Sequence, residues 1–378
     1  MTILQALLVL NLASVAQAQD ASRTFLHTGR DQSFVVPPGV TQLRVKMWAA
    51  GGGGGITDRL DANSGGGGGG FTNGIVTVQP GELLTLIVGA AGETTGAQTE
   101  PNYGGGGRVA MDWDCGFGSR DPETGTYPSW GCTVPHWLPL GEGHAKHAGS
   151  GGGRAAIRRG SVELATAGGG GGGGEGTNDG FGGGGGGLAG RPGGATGDAT
   201  EYDGFGGGGG GTQDAKGAGG TPEGDQHTGS FSNSPLGGAG GGGWFGGGGS
   251  STNDKPGGGG SGYVGGMRAG ASTAAGHDGG PYVGGRGAGQ KDRDYPHSGV
   301  GNGGGVGERG GDAAIVLSWS TGVVETECPW LQPANTPDDV LTCMDGTTCG
   351  APGAPDWACC NDHGGRGHCP VTSSDRTR

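Results

Sequence analysis

Of 378 residues, 104 are Gly and 20 are Pro, and apolar plus aromatic types supply only 31%. That composition excludes an ordinary enzyme-like core spread over the whole chain, and its blocks of Gly without a three-residue repeat exclude collagen. A formal charge of −13, with no basic cluster long enough to track a phosphate backbone, excludes nucleic acid as the expected partner and favours a basic polypeptide.

The chain opens with an apolar stretch from Ile3 to Val15, followed by Ala16-Gln17-Ala18, the small-x-small pattern of a secretory leader spanning 1–18. An uncleaved anchor is the alternative. No later segment has the run of about 18 apolar residues that a spanning helix needs, so the mature protein is expected to be extracellular, with no membrane span. Eight cysteines in a secreted chain point to disulfides. Cys115 and Cys132 stand alone in mid-chain, where a bridge would contribute about 3 kcal/mol in the loop-closure view. Cys328, Cys343, Cys349, Cys359, Cys360 and Cys369 crowd the tail, and their pairing stays open.

From Thr24 the sequence reads as strands. SFVVPPGV carries a Pro-Pro-Gly turn, and TQLRVKMW alternates Leu43, Val45 and Met47 with Gln42, Arg44 and Lys46, the period of a strand with one buried face. FTNGIVTV and LLTLIVGAAG flank the turn QPGE and are expected to form a hairpin. RAAIRRG and VELATAGG suggest a second pair, and GDAAIVLSWS a closing strand with Ala314 and Val316 on one face and Ile315, Leu317 and Trp319 on the other. That last strand returns after more than a hundred Gly-rich residues, so the Gly-rich stretch is expected to be a folded insertion within one domain.

Within it, 95 of the glycines lie between Ala49 and Asp312, in uninterrupted runs at 51–55, 65–70, 104–107, 168–174, 182–187, 206–211, 240–243, 246–249 and 257–260. Such runs remain flexible linkers unless many backbone bonds form together. A left-handed extended helix of three residues per turn has no internal hydrogen bonds, so buried copies must pair laterally, and only Gly lets them approach from every side. Aromatic residues at run ends, Trp48, Phe71, Tyr103, Phe181, Phe205, Trp244, Phe245, Tyr263 and Tyr282, favour an ordered bundle that they cap or seal to the strands; a disordered insert is the alternative. The expected fold is all-β: a jelly-roll-like β-sandwich carrying a bundle of polyglycine II helices over 19–320, followed by a small disulfide-rich module over 321–378.

The order of the pieces resembles the extracellular glycine-rich region of the anaplastic lymphoma kinase and leukocyte tyrosine kinase receptor family. The residues carrying this likeness are Val35-Val36-Pro37 leading to Ala49-Ala50-Gly51-Gly52, LLTLIVGAAGE at 83–93 with the cysteine-bearing insertion after it, VELATAGGGG at 162–171, AGGGGW at 239–244, Gly262-Tyr263-Val264-Gly265-Gly266, and GDAAIVLSW before a cysteine-rich tail. The resemblance implies a glycine-rich sandwich that binds small secreted protein ligands. Kinase triplets HRD, DFG and APE are absent from this sequence, so a kinase activity is not implied. Phage tail-fibre adhesins have similar glycine-rich domains, which keeps an adhesive role open. The tail from Cys343 to Pro370 is similar to cysteine-rich modules of secreted or surface proteins of marine microalgae; Cys359-Cys360 departs from an epidermal-growth-factor-like pattern.

Catalytic and cofactor signatures are missing. Gly-x-Gly-x-x-Gly recurs only because the runs are nearly pure Gly, and no phosphate loop, Gly-x-Ser-x-Gly or His-Glu-x-x-His occurs. Cys359, Cys360, His363, His368 and Cys369 could hold zinc, but an oxidising compartment favours disulfides, and His144 and His147 read as loop residues. No catalytic residue, cofactor or metal is therefore expected. Acidic residues cluster between the runs at Glu175 and Asp179; Asp198, Glu201 and Asp203; Glu223 and Asp225; and Asp292 and Asp294, as solvated turns or as a recognition face. The expected function is that of a secreted, receptor-like protein whose glycine-rich domain recognises a basic extracellular protein. The alternative is a structural or adhesive protein of a cell wall or matrix, stiffened by the polyglycine scaffold.

Overall fold

The computed structural model describes residues 19–55, 64–94, 100–109, 148–175, 180–194, 207–233, 236–252, 255–321, 341–342 and 348–349. These comprise strands β1 (Gln19–Leu26), β2 (Gln32–Val35), β3 (Gln42–Trp48), β4 (Phe71–Thr77), β5 (Leu83–Val88), β6 (Ala155–Arg159), β7 (Val162–Ala167), β8 (Ser272–Ala274), β9 (Ala314–Thr321), β10 (Leu341–Thr342) and β11 (Thr348–Cys349), with no helix among the described residues. The chain divides into two compact units. The larger consists of Ser22–Val36 and Thr41–Trp319. In the other, β10 and β11 pair antiparallel. Residues 1–18, read above as a leader, Phe205 and the cysteines lie outside the described residues, apart from the backbone of Cys349 in β11.

Two sheets organise the larger unit, ordered β1-β9-β3-β4-β8 and β2-β5-β6-β7. β3 is held antiparallel to both β4 and β9, and β5 antiparallel to both β2 and β6. The alternation in β3 buries Leu43, Val45 and Met47 completely, and Leu84, Leu86, Ile157, Ile315 and Leu317 join them as fully buried side chains. Each such side chain contributes about 2 kcal/mol through removal from water. Between the sheets, β3 and β4 lie against β6 and β7, and the Thr72 hydroxyl donates to the Thr166 carbonyl at 2.8 Å. Phe34 meets Trp319 at 5.3 Å and Phe25 at 6.1 Å between ring centres, closing the core on the β2 and β9 side.

One expectation fails. β4 and β5 flank the turn at Gln79–Glu82 but do not pair: β4 lies between β3 and β8, and β5 between β2 and β6. The turn therefore crosses from one sheet to the other. Its Gly81 adopts φ +80°, and its corner is tied by the Val36 amide to the Glu82 carbonyl and the Gly81 amide to the Val36 carbonyl, both at 2.9 Å. The expected β6–β7 hairpin is present, with a register shift between Ile157 and Arg158.

The glycine runs are joined by backbone hydrogen bonds that rotate with a three-residue period. Gly52 and Gly55 donate to Gly67 and Ser64, Gly51 and Gly54 to Gly311 and Glu308, and Ala50 and Gly53 to Gly153 and Ser150. Thus one run faces three neighbours in turn. The pattern repeats from Gly169 to Gly174: Gly169 and Gly172 reach Gly242 and Ala239, Gly170 and Gly173 reach Ala50 and Gly53, and Gly171 and Gly174 reach Gly183 and Gly180. No glycine in 51–55, 65–70, 168–174, 240–243, 246–249 or 257–260 has a positive φ.

The spacing between runs leaves no room for a side chain. At Gly171 a Cβ would lie 2.2 Å from the Gly257 carbonyl oxygen, and at Gly54 it would lie 1.8 Å from that of Gly305. With hydrogen there instead, the Cα–H points at a carbonyl, a contact worth about 0.5–1 kcal/mol. Ordering one residue costs about 1–2 kcal/mol and an amide bond contributes about 1 kcal/mol net. A single run would not hold its shape alone; many contacts must form together.

Candidate functional site

Of the aromatic residues at the run ends, Trp48, Phe71, Trp244, Phe245 and Tyr263 pack as expected, Tyr282 does not, and Phe205 lies outside the described residues. The Trp48 and Phe71 rings meet at a tilt, 4.9 Å between centres, in a buried cluster with Ala288, Val300, Ala314 and Val316, and Tyr295 packs against it. Trp244 stacks on Tyr263 at 4.0 Å with Phe245 edge-on, and Tyr263 pairs with Thr166 of β7, which seals that end of the glycine body to the second sheet. Tyr282 departs from this pattern: it is 55% exposed and holds φ +61°.

The acidic segments divide into two kinds of outcome. Asp292 and Asp294 do not form a presented face, because both clamp the buried Lys46 of β3 at 2.7 Å. Burial disfavours the Lys46 charge, but the two carboxylates outweigh it and push its pKa up. Lys46 was read only as the polar side of an alternating strand, and nothing near it in sequence marks its partners. Glu175 is buried as well. Asp179, Asp198, Glu201 and Asp203 lie outside the described residues. Glu223 and Asp225 belong to a charged assembly centred on β6 and β7.

That assembly is the most concentrated group of ion pairs among the described residues. Glu163, on β7, has a side chain only 2% exposed. Arg154 reaches its two carboxylate oxygens from Nη2 and Nε at 3.4 Å, and donates from Nη1 to the Gly104 carbonyl at 3.1 Å. The Arg158 Nε donates to Oε2 at 3.1 Å, the Thr166 hydroxyl donates to Oε1, and the His227 Nε2 stands 3.8 Å from Oε2. Hairpin geometry explains the first contacts: Arg158 and Glu163 are cross-strand partners. Burial raises the Glu163 carboxyl pKa, yet Arg154, His227, the Thr166 hydrogen bond and Arg158 together hold it below the ordinary carboxylate range.

Over this cluster lies the segment 221–231, closed by a bridge between Thr221 and Phe231. Arg108 donates to Glu223 at 3.0 Å and its guanidinium lies 4.8 Å over the Phe231 ring, while Lys216 Nζ donates to the Glu223 carbonyl at 2.7 Å. The Asp225 carboxylate accepts from the His227 amide at 3.0 Å and from the Thr228 hydroxyl at 3.2 Å. The His227 Nδ1 meets the Gly243 carbonyl at 3.1 Å, and its ring lies 5.5 Å from Trp244. Sequence reasoning found Glu223 and Asp225 but missed His227, Arg154 and Glu163. A Glu in an apolar strand directly after an Arg-rich one was the available signal for the last two; His227 had none.

Chemically, the assembly is a clasp of ion pairs. Its four cations, Arg108, Arg154, Arg158 and Lys216, outnumber its three carboxylates, Glu163, Glu223 and Asp225, and no group of three or more His, Cys, Asp or Glu among the described residues is arranged to hold a metal ion. No helix among the described residues is long and apolar enough to cross a membrane. The tail residues Cys359, Cys360, His363, His368 and Cys369, together with His144 and His147, lie outside the described residues. No protein-family model matches the chain, and no curated protein matches it significantly.

Proposed function

We propose that the protein is a secreted, receptor-like binding protein whose glycine-rich body is a rigid mount for short charged segments that recognise a basic protein ligand. The observation that carries this reading is the three-residue rotation of the lateral hydrogen bonds, by which each run is tied to several neighbours at once. A threefold repeat with φ negative throughout 51–55, 65–70, 168–174, 240–243, 246–249 and 257–260 fits left-handed extended helices, so these runs are read as a polyglycine II bundle set into a jelly-roll-like sandwich. The cysteine-rich residues 321–378 are read as a disulfide-closed module.

A scaffold of this kind holds the segments between runs in fixed relation, which lowers the ordering cost of binding. The net charge of −13 favours a basic partner and gives association a salt dependence. Binding, and no catalysis, is the activity proposed. The test is affinity capture from the native secretion with the full-length secreted chain, followed by identification of what is retained. One basic polypeptide, bound at submicromolar affinity and weakened by salt, is the expected result. Retained polysaccharide, or recovery of the protein itself in an insoluble wall or matrix fraction, would replace this reading with the structural and adhesive one.

A further inference from the structure

The turn Gly280-Pro281-Tyr282-Val283 breaks a local rule that the rest of the glycine body keeps. Tyr282 holds φ +61° and is the one non-Gly residue among the described residues with a positive φ. With Pro at the first corner and a left-handed residue at the second, the turn has a form that ordinarily places Gly at that second corner. Gly279, Gly280, Gly284 and Gly285 flank it. The residue that the backbone asks for thus stands on either side of the position that needs it, and a bulky aromatic stands in that position.

No packing offsets the strain. Tyr282 is 55% and Val283 61% exposed, Pro281 is exposed beside them, and the Tyr282 side chain makes no hydrogen bond or ring contact among the described residues. The backbone beneath is fixed. The Gly280 amide donates to the Val283 carbonyl across the turn at 2.9 Å, the Gly279 amide to Gly182 at 2.9 Å and the Gly285 amide to Gly66 at 2.8 Å. A Cβ at Gly65 would lie 2.1 Å from the Val283 carbonyl oxygen, and one at Gly284 would lie 1.8 Å from that of Gly303. Gly65 opens the run that ends in β4 at Phe71, so the turn stands at the end of the body away from that strand. A carboxylate lies beside it: a Cβ at Gly305 would stand 2.8 Å from the Tyr282 carbonyl oxygen and 2.9 Å from Glu308 Oε2. Glu308 is exposed, and its side chain forms no ion pair or hydrogen bond among the described residues.

We infer that Tyr282 and Val283 form a preset apolar anchor, flanked by Glu308, that enters a pocket of a protein partner rimmed by Lys or Arg.

The anchor rests on the basic-ligand reading above and says where that ligand is met. A strained backbone that nothing inside the molecule compensates belongs to a position whose side chain acts outward. Tyr suits that role, because it brings a large amphipathic contact area with few rotatable bonds and recurs among the residues that dominate interfaces. The turn is held before any partner arrives, so little backbone is left to order on binding. The Glu308 carboxylate, in a chain of net charge −13, favours a basic rim around the pocket.

The probe is the native secretion, passed over the full-length secreted chain and over Tyr282→Gly, Glu308→Gln and a control, Leu188→Ser, which alters another apolar residue that is 60% exposed. Retained polypeptides are identified and titrated against each form. The expected result is a basic polypeptide bound equally by the unaltered chain and Leu188→Ser, about tenfold or more weakly by Tyr282→Gly, and about threefold more weakly, with a shallower salt dependence, by Glu308→Gln. Gly accepts φ +61° freely, so the urea midpoint of Tyr282→Gly should hold or rise, and its lost binding is then not lost folding. A basic polypeptide bound as tightly by Tyr282→Gly as by the unaltered chain overturns the anchor and leaves the basic-ligand reading standing. A fall in the urea midpoint of Tyr282→Gly assigns Tyr282 to the fold and also overturns it. A polypeptide that needs Tyr282 but has no excess of Lys and Arg overturns the basic rim, and retention of no basic polypeptide by any form overturns both the anchor and the reading beneath it.

Discussion

The two sheets and the glycine body are built from the same chain by opposite means. In the sheets, side chains such as Leu43, Met47, Ile315 and Leu317 fill the space between backbones, and stability comes from apolar area removed from water. In the body there are almost no side chains to bury; backbones touch one another, and successive amides of a run such as Gly169–Gly174 are satisfied by different neighbouring runs. The comparison teaches that close packing does not require an oily interior. It requires that no atom be left without a partner, and Gly meets that condition by having nothing between one backbone and the next.

The contrast predicts where substitutions do most damage. Gly171→Ala should be among the costliest single changes, destabilising by about 4 kcal/mol, because the new methyl would displace the Gly257 carbonyl that also accepts the Gly183 amide. A urea midpoint measures it; a loss under about 1 kcal/mol would show that the runs shift freely and the packing account is wrong.

Next in size is Glu163→Gln, which leaves the buried Arg154 and the half-buried Arg158 opposite a neutral amide and should cost about 3 kcal/mol. The same change should alter the acid limb of stability. Because the folded Glu163 carboxyl lies below its unfolded value of 4.5, its contribution is full above that value and disappears as pH falls through the folded one. Urea midpoints between about pH 6 and pH 3 should therefore fall less steeply in Glu163→Gln than in the unaltered chain.

Gly81→Ala offers a control with open space around it: nothing lies within 4 Å of its Cβ direction, and only φ +80° is unfavourable. It should cost about 1 kcal/mol, well below the run substitution. The smallest effect is expected for Arg159→Ala, whose ion pair with Glu82 holds an arginine 46% exposed; a change of about 0.5 kcal/mol or less is predicted.

Much of the sheet architecture was legible because period-2 burial leaves a direct mark: the alternation of Leu43, Val45 and Met47 reappears as complete burial of those three residues. The error at Gln79–Glu82 has an equally local cause. A Pro-Gly turn between two strands reads the same whether the second strand returns beside the first or crosses to another sheet, and only long-range pairing decides. β8 was missed because Ser272–Ala274 is too short to show any alternation. Within the site, Arg158 opposite Glu163 was recoverable from the hairpin, since two charged residues near the turn of an antiparallel pair face each other. His227 was not recoverable, because its 64-residue separation from Glu163 is bridged by packing that local sequence does not encode. The same holds for Asp292 and Asp294 on Lys46.

The central claim is that the glycine-rich stretch is an ordered body held by lateral backbone bonds, and residue-resolved amide exchange of the full-length chain at neutral pH tests it most directly. The account predicts that Gly52, Gly67 and Gly169–Gly173 exchange as slowly as Leu43–Met47 of β3, at least about a thousandfold below the unprotected rate. Exchange of those glycines at the unprotected rate, with β3 still protected, would contradict it and leave a β-sandwich joined by flexible linkers.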